Sequence, residues 1–339
     1  MHRSELTIDL GAVRRNAERL LAVLEGAELW AVVKADGYGH GAVDVAGAAL
    51  GAGASVVCTA TVPEALVLRH EYPSARLLVL GPAAQREVAQ AREARLELAV
   101  VTEDVPAGLP VHLKLDTGMG RWGVSQLQAG GADVVGVMSH LASADCDGAY
   151  TRWQVDRFRE ATADFRDVTR HLANSAGALR YPESRFDAVR CGIALYGLSP
   201  FGEDAAVDGL EAALRWNSHL AHVKLLHAGE STGYGRRWVA DEDTWIGIVP
   251  VGYADGFRRD LTGTQVRVDG EPRRVVGTIS MDAFAVELGA QLPVGTPVVL
   301  VGPRLPLESH AKVAGTITYE LACGIGSSPL RSRRTVLHG

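Results

Sequence analysis

The sequence is poor in lysine and cysteine. Lysine accounts for four of the 34 basic residues, so chemistry that needs a side-chain primary amine has four candidates, Lys34, Lys114, Lys224 and Lys312. The four cysteines are far apart and form no C-x-x-C pair. This spacing argues against a disulfide framework or a cysteine zinc site, and it favours a reducing compartment.

Long apolar runs and concentrated charge are also missing. No stretch approaches the ~20 apolar residues of a membrane-spanning helix, and the first residues, MHRSELTIDL, lack the layout of a signal peptide. The net charge is -6, with both signs interspersed. Nothing here attracts nucleic acid or an anionic membrane, since both need concentrated basic charge. We therefore expect a cytoplasmic protein with no nucleic-acid partner, no membrane partner and no metal.

Strand and helix patterns alternate over the first part of the chain. Apolar runs rich in β-branched residues occur at 29–34, 55–60, 76–80, 97–102, 111–117, 133–138, 171–175 and 187–193. Amphipathic segments lie between most of them, at 12–24, 43–51, 63–71, 85–95 and 150–170. Continuous apolar strands alternating with helices favour an N-terminal (β/α)8 TIM barrel. A doubly wound open sheet produces a similar pattern and stays an alternative.

The pattern changes near residue 215, where short strands separated by Gly, Pro and Asp-Gly turns begin. The segment VDGEP at 268–272 predicts a hairpin with Asp269 and Gly270 at its tip. We expect a barrel domain over 1–214 and a C-terminal, mainly-β domain over 215–339. Residues 1–10 are candidates for pairing with the C-terminal domain.

The segment VVKADGYGHG at 32–41 places a lysine where an apolar strand meets a Gly-rich turn. The C-terminal strand ends of a barrel form its active-site face, and neighbouring groups there can make Lys34 nucleophilic. Tyr38, one turn later, is within reach of a phosphate. The alternative is that Lys34 only extends its amine from the strand end into solvent.

Further segments place polar residues at predicted strand ends. LKLDTGMGRWG carries Lys114 and Arg121, and SHLASAD carries His140. A lone histidine is more often a structural residue than a catalyst. HLANSAG puts Asn174 and Ser175 at a strand-to-helix turn, where they serve either as ordinary helix caps or as part of a phosphate site.

FDAVRCGIALYG embeds Arg190 in an apolar strand. An unpaired buried charge is costly, so a planar, acceptor-rich partner is expected opposite it. Gly192 lets the backbone approach a ligand closely. Four later segments, STGYG, VGYADGF, GTISMD and TITYELACGIGSS, combine Tyr, Met or Asp with Gly, and each is individually a weak signal.

Taken together and in this order, these segments resemble the alanine racemase family of type III pyridoxal phosphate (PLP) enzymes, essentially end to end. The resemblance implies a (β/α)8 barrel with a C-terminal β domain. It also implies a head-to-tail homodimer in which both domains contribute to each active site.

The resemblance also implies roles for single residues. Lys34 corresponds to the Schiff-base lysine, Arg190 to the arginine facing the pyridine nitrogen and Arg121 to the arginine bonding the phenolic oxygen. His140 corresponds to the residue packing on the ring, and Asn174 lies beside the phosphate. The residues matching the phosphate-binding group are Tyr38, Ser175, Gly192, Ile193 and Tyr319.

Other implied roles concern the substrate. Tyr234 corresponds to the second catalytic base, supplied by the partner subunit. Tyr253, Met281 and Asp282, with Arg121, correspond to the substrate-binding side. Lys114 corresponds to a lysine that is often carbamylated in the family.

Two positions depart from the family pattern: Cys191 replaces a usual proline and Ser280 a common cysteine. Neither change removes a functional group of the implied mechanism.

The function implied by the resemblance is interconversion of L- and D-alanine by two bases, Lys34 and Tyr234 of the partner, with D-alanine supplied for peptidoglycan. The alternatives are a racemase for a broader set of small amino acids such as serine, an amino-acid decarboxylase of the same fold, and a non-catalytic PLP-binding protein.

Overall fold

A computed structural model describes residues 2–128, 133–326 and 328–339. They fall into two compact units. The barrel unit comprises Val13–Phe201 and Ala205–Glu211. The β unit comprises the N-terminal residues up to Ala12, together with Gly202–Asp204 and Ala212–Gly339.

The barrel unit is built on eight parallel strands in a closed ring, in which the last strand pairs with the first. The strands are β2 (Glu28–Val32), β3 (Val56–Thr59), β4 (Arg76–Val79), β5 (Glu97–Val100), β6 (Val111–Lys114), β7 (Val134–Met138), β8 (Thr169–His171) and β9 (Ala188–Cys191). Every residue of β3, β5, β6 and β9 is buried, as expected of strands covered on both faces. The predicted barrel is confirmed, and the open-sheet alternative is excluded.

Helices connect most of the strands. They are α1 (Leu10–Leu24), α2 (Lys34–Tyr38), α3 (Ala42–Gly51), α4 (Val62–Glu71), α5 (Gln85–Glu93), α6 (Gly148–Ala161) and α7 (Ser175–Arg180). Local sequence explains where they begin: Thr61 and Glu64 form a reciprocal capping box at the start of α4. No helix in the described ranges combines the length and apolarity needed to cross a bilayer.

The connections after β5 and β6 contain no helix among the residues that the structure describes. A cavity of about 400 Å³ lies there, lined by side chains that include Val100, Leu113, Val124 and Val134. The barrel is therefore complete in its strands but reduced in its outer helical layer on this side.

The β unit contains a nine-stranded sheet in the order β11-β12-β15-β14-β13-β16-β10-β1-β17. Its strands are β1 (Glu5–Asp9), β10 (Leu214–His219), β11 (His222–Leu226), β12 (Thr244–Val249), β13 (Gln265–Val268), β14 (Glu271–Val276), β15 (Phe284–Leu288), β16 (Pro297–Val301) and β17 (Arg333–Leu337). The chain start thus lies inside this sheet, since β1 runs antiparallel to β10 and parallel to β17. Two helices, α8 (Leu307–Ala314) and α9 (Thr318–Gly324), complete the unit.

The predicted hairpin is present between β13 and β14, where Val268 pairs with Glu271. Asp269 and Gly270 form the two-residue tip, with φ of 52° and 81°. Both residues lie in the left-handed region that a type I′ turn requires, which explains the Asp-Gly sequence.

Candidate active site

The predicted cofactor residues of the barrel unit lie at the C-terminal ends of its strands. They are Lys34 and Tyr38 after β2, Lys114 and Arg121 at and after the end of β6, His140 after β7, Asn174 and Ser175 after β8, and Arg190, Gly192 and Ile193 in and after β9. Active sites of such barrels form at this face.

Lys34 is half-buried and begins an unusual turn. The next four residues, Ala35 to Tyr38, all have positive φ, between 50° and 61°. Only Gly37 among them is a glycine, and left-handed φ is costly for the other three. The turn α2 is therefore a left-handed turn directly after the lysine, and surrounding contacts must hold it in place.

Two carboxylates hold this turn. Glu64 Oε1 accepts a hydrogen bond from the Ala35 N–H (2.8 Å), while its Oε2 accepts one from the Thr61 N–H (3.1 Å) at the start of α4. Asp36 Oδ1 accepts one from the Ala42 N–H (2.9 Å) at the start of α3. The backbone that carries Lys34 is thus tied to two neighbouring helices.

Hydroxyl groups and backbone amides meet beside β9. Ser175 Oγ lies 3.1 Å from the Gly192 N–H and 3.4 Å from the Ala194 N–H, both of which donate to it. A Cβ on Gly192 would stand 2.4 Å from the Tyr38 hydroxyl oxygen. Gly192 is therefore required for the close approach of the Tyr38 hydroxyl.

Asn174 and Ile193 flank this group. Asn174 Oδ1 accepts a hydrogen bond from the Gly177 N–H (3.0 Å), so its side chain caps α7. Ile193 is fully buried and begins a short 3₁₀ helix, Ile193–Tyr196. Capping, one of the two predicted interpretations, accounts for Asn174, and its role toward a cofactor stays a prediction.

Arg190 is buried and makes several hydrogen bonds across the barrel end. Its Nη1 donates to the His171 carbonyl (3.0 Å) and to His171 Nδ1 (2.7 Å). Its Nη2 donates to the carbonyls of Ser139 (2.6 Å) and Leu172 (3.1 Å), and lies 3.3 Å from His140 Nδ1. A planar, acceptor-rich partner was expected opposite Arg190. Its guanidinium instead donates to carbonyl groups and imidazoles at the strand ends.

Four cationic side chains surround His140. Burial, followed by the charges of Arg190, Lys114, Arg121 and Lys34, holds its pKa well below the usual range. His140 is therefore neutral at physiological pH, because a further positive charge there would be repelled by its neighbours. The cluster favours an anionic ligand.

Lys114 is buried in this cluster, and burial lowers its pKa to about 8, with Arg190 and Arg121 acting in the same direction. Its Nζ lies 5.4 Å from the centre of the Trp122 ring, over which Arg121 also lies, at 5.2 Å. Asp116 Oδ1 shapes the loop between Lys114 and Arg121 by accepting three backbone N–H groups of residues 118–120, at 2.8 to 3.1 Å.

Four predicted residues of the β unit share one exposed edge. Tyr234 is 72% exposed, Met281 52% and Tyr253 43%, and the side chain of Asp282 is 63% exposed. Their backbones are nevertheless linked, because the Tyr253 N–H donates to the Ser280 carbonyl (3.1 Å). Tyr234 is anchored separately by its carbonyl oxygen, which accepts from the hydroxyl of Thr278 (2.9 Å).

A buried carboxylate organises this edge. The side chain of Asp255 is fully buried and pairs with both Arg3 and Arg331 at 2.7 Å. Arg331 in turn donates from Nη2 to Asp282 Oδ1 (2.7 Å). Sequence reasoning missed Arg3 and Arg331, although Asp255 lies within the VGYADGF segment.

The fifth predicted residue of the β unit, Tyr319, lies half-buried in the first turn of α9. It is not part of the edge formed by Tyr234, Tyr253, Met281 and Asp282. In the same segment, Ser327 lies outside the described residues.

Sequence reasoning also missed three polar side chains inside the barrel, Glu97, His112 and His171. The available signal was a charged or imidazole side chain within an otherwise apolar strand, such as Glu97 in ELAVV and His112 in VHLK.

Comparisons with known proteins agree with this arrangement. Two family models match, the N-terminal domain of alanine racemase over residues 8–200 and its C-terminal domain over residues 213–333. The alanine racemase of Lactiplantibacillus plantarum is 40% identical, over 95% of this chain and 95% of its own length. The chain belongs to the alanine racemase family.

Solved structures of alanine racemases share the fold. The enzyme from D-cycloserine producing Streptomyces lavendulae is 36% identical with a TM-score of 0.91, covering 100% of this chain and 98% of that one. The Bartonella henselae alanine racemase, solved with covalently bound pyridoxal phosphate, is 25% identical with a TM-score of 0.89, covering 98% and 99%. The predicted family is confirmed, and with it a PLP-dependent isomerase.

The donor set of the barrel end fits pyridoxal phosphate. The Ser175 and Tyr38 hydroxyls lie beside the backbone of Gly192, and Lys34, Lys114, Arg121 and Arg190 supply positive charge around His140. Hydroxyl and amide donors suit a phosphate, and the cations suit its charge and that of a substrate carboxylate. Lys34 supplies a primary amine directly after β2, at the same end of the barrel.

Proposed function

We propose that the protein interconverts L- and D-alanine with two bases, Lys34 of one subunit and Tyr234 of a partner copy. One observation carries the proposal. Tyr234 is 72% exposed and its hydroxyl makes no hydrogen bond to the residues that the structure describes, although its backbone is anchored. A phenol whose backbone is anchored and whose hydroxyl is exposed can enter the active site of a second subunit.

Racemisation requires removal of a proton from one face of the substrate α-carbon and delivery of a proton to the other face. One base in a site that excludes water cannot easily serve both faces, whereas two opposed bases can. Lys34 takes the α-proton of one enantiomer and Tyr234 of the partner takes that of the other.

When bound, PLP acidifies the substrate α-carbon by withdrawing electrons, and the protein supplies orientation and proton transfer. Lys34 would carry the cofactor. Tyr38, Ser175, Gly192 and Ile193, with Asn174 beside them, would hold the phosphate, and the family resemblance adds Tyr319 to this group. His140 would pack on the ring and Arg121 would bond the phenolic oxygen.

Arg190 would face the pyridine nitrogen and would set how strongly the bound cofactor withdraws electrons. Burial lowers its pKa, but only to about 10, so the guanidinium stays charged at neutral pH. A permanent cation at this position disfavours protonation of the nitrogen. This restrains the spread of charge onto the ring and favours simple return of the proton. Amino-acid decarboxylases of the same fold carry a carboxylate at the pyridine nitrogen, so Arg190 argues against a decarboxylase.

Tyr234 needs help to act as a base, because a phenol ordinarily has a pKa of ~10. The cations around His140 in the partner's barrel supply it, since nearby positive charge stabilises the phenolate. Arg121, Met281, Asp282 and Tyr253 surround the substrate. Alanine is the preferred substrate, and serine is the nearest competitor because one additional small group changes binding by only ~1–3 kcal/mol.

The working form is a homodimer in the cytoplasm that supplies D-alanine for peptidoglycan. The exposed edge of Tyr234, Tyr253 and Met281 supports association, because such apolar groups gain from burial at an interface. All four cysteines are free thiols, which suits a reducing compartment.

Exchange of the substrate α-hydrogen in D₂O tests the two-base proposal. In Tyr234→Phe, we expect racemisation to fall at least about a hundredfold in both directions, while α-hydrogen exchange persists for one enantiomer only. Lys34→Ala should lose both racemisation and the cofactor's absorbance. Tyr150→Phe is the control for loss of a tyrosine hydroxyl, since the hydroxyl of Tyr150 donates to the Gly118 carbonyl. Equal exchange of both enantiomers by Tyr234→Phe would refute the proposal.

A further inference from the structure

A chain of hydrogen-bonded polar side chains runs inside the barrel and ends at Arg190. Arg190 Nη1 lies 2.7 Å from His171 Nδ1, and His171 Nε2 lies 2.9 Å from His112 Nδ1. His112 Nε2 lies 2.9 Å from Glu97 Oε2, and Arg76 pairs with Glu97 through Nε at 2.8 Å. Arg76 and Glu97 begin their strands, whereas His171 ends β8, so the chain passes from one end of the barrel toward the active-site end.

The chemistry of its two ends fixes the direction of every hydrogen bond. A guanidinium can only donate, so His171 Nδ1 accepts and the proton of this ring is on Nε2. His171 therefore donates to His112 Nδ1, which places the proton of His112 on Nε2, facing the carboxylate. An ionised carboxylate can only accept, so Glu97 requires the same direction. Both imidazoles are neutral in this arrangement.

The barrel interior is shaped around these hydrogen-bonded side chains. His112 and His171 are fully buried, and both rings contact that of Trp30, at 5.6 Å and 4.4 Å between centroids. A Cβ on Gly136 would stand 2.1 Å from His112 Nδ1, so a glycine is needed beside that ring. Buried polar chains are costly unless every member is satisfied.

The charges agree with these proton positions. Burial, acting against the Glu97 carboxylate, lowers the pKa of His112, and burial followed by Arg190 holds that of His171 well below its usual range. Although burial alone favours the acid, hydrogen bonds from His112 and Arg76 lower the pKa of Glu97 to about 2. The ends of the chain are charged and its middle is neutral.

We propose that Glu97 is a positioning residue for Arg190. By fixing the proton of each imidazole, Glu97 makes His171 present only an acceptor to Arg190. This holds the guanidinium in one orientation at the active-site end of the barrel. The inference rests on the proposed role of Arg190 toward the pyridine nitrogen, and it adds a determinant at the opposite end of the chain.

Nitrogen NMR of protein labelled with ¹⁵N-histidine tests the proton positions directly. At pH 7 we expect His112 and His171 as neutral Nε2–H tautomers. In Glu97→Gln, the side-chain amide can donate to His112 Nε2 and so competes with Arg190 for the direction of the chain. Both residues should then become tautomer mixtures, at the expense of the hydrogen bond from Arg190 to His171 Nδ1. His310, bonded through Nε2 to the Leu300 carbonyl, is an internal reference. Unchanged tautomers in Glu97→Gln would overturn the proposal.

Kinetics tests the consequence for Arg190. We expect Glu97→Gln to lower kcat about ten- to a hundredfold, with KM changed less than about threefold, because orientation and not substrate contact is lost. Glu28→Gln is the matched control: Glu28 begins β2, accepts from Trp30 Nε1 (2.8 Å) and lies 3.9 Å from Arg76 Nη1, but it is not a link between Arg76 and the two imidazoles. Altered tautomers with an unchanged kcat would overturn the positioning role. A wild-type protein without racemase activity would instead refute the proposed function and leave the tautomer result standing.

Gly136→Ala is a second variant, and it removes no polar group from the hydrogen-bonded chain. The added methyl group must displace the His112 ring, and we expect the same loss of a fixed tautomer and a similar fall in kcat. Gly51→Ala is its control, since a Cβ there meets no atom within 4 Å. If Gly136→Ala matches Gly51→Ala in both readouts, the chain does not position Arg190.

Discussion

Lys114 combines burial with neighbouring positive charge, and both effects favour its neutral amine. A neutral amine can attack carbon dioxide, forming an N–C bond and releasing one proton, to give a carbamate. The product carries a negative charge into a cluster that otherwise holds Lys34, Arg121 and Arg190. The carbamylation predicted for Lys114 thus has a physical reason, and it stays a prediction.

Carbamylation of Lys114 predicts a dependence on both carbon dioxide and pH. With a pKa of about 8, the neutral fraction of the amine rises from about 3% at pH 6.5 to about half at pH 8. We expect ¹³C-bicarbonate to give a protein-bound carbamate signal that is stronger at pH 8 and absent in Lys114→Ala. Lys224, an exposed lysine on β11, provides the control variant Lys224→Ala. A signal that survives in Lys114→Ala would assign the carbamate elsewhere.

At the scale of single elements, the left-handed turn α2 is the least regular part of the site. Three non-glycine residues with positive φ, Ala35, Asp36 and Tyr38, flank Gly37, so the turn persists only because its contacts outweigh the strain. Glu64 contributes most visibly, since it joins the Ala35 N–H to the start of α4. The geometry of Lys34 therefore depends on a side chain of a different helix.

Replacement of Glu64 should loosen the turn. We expect Glu64→Ala to lower the free energy of unfolding by about 1–3 kcal/mol, because the backbone N–H groups of Ala35, Ala60 and Thr61 lose a charged acceptor, and to weaken cofactor binding. Urea denaturation and titration with pyridoxal phosphate measure the two effects. Glu71→Ala, at the end of the same helix, is the control, since the side chain of Glu71 pairs with its neighbour His70, at 3.9 Å, and not with the turn. Equal behaviour of the two variants would contradict a role for Glu64.

Regular elements were predictable where the pattern is strong. The apolar runs located seven of the eight barrel strands, whereas the run at 171–175 overlaps β8 only at His171. The Asp269-Gly270 turn was visible because a type I′ turn needs left-handed residues. The predicted helical segment 150–170 was too long, because α6 ends at Ala161 and β8 begins at Thr169. The strand β17 was missed because it is polar and only partly buried, so no apolar run marks it.

The site was predictable to the extent that its residues stand at strand ends in recognisable segments. Lys34 and Arg190 each contrast with an apolar strand, and local sequence is enough to find them. The hydrogen-bonded side chains that lead to Arg190 could not be found in this way. His112 and His171 are 59 residues apart and meet only across the barrel interior. No local pattern contains that proximity, so the roles of Glu97 and His112 needed the structure.

At the scale of the whole molecule, the proposed bases belong to different compact units, Lys34 to the barrel unit and Tyr234 to the β unit. Asp255 and Arg331 order the part of the edge that carries Tyr253 and Asp282, Thr278 anchors the Tyr234 backbone, and Tyr234 is exposed in the single chain. If the proposed homodimer is correct, each site takes one base from each subunit. Two inactive variants then carry complementary defects.

Mixed dimers of Lys34→Ala and Tyr234→Phe should therefore regain activity. In a mixed dimer one site loses both bases, while the other combines Lys34 of one subunit with the partner's Tyr234 and is fully wild type. Random pairing makes half of the dimers mixed, and purification through both tags isolates these, so about one site in two is restored in the purified mixed dimer. Co-expression with two affinity tags, followed by racemase assays on the doubly purified dimer, measures this restoration. If both bases instead came from one chain, every site in the mixed dimer would lack one of them, and no activity would return.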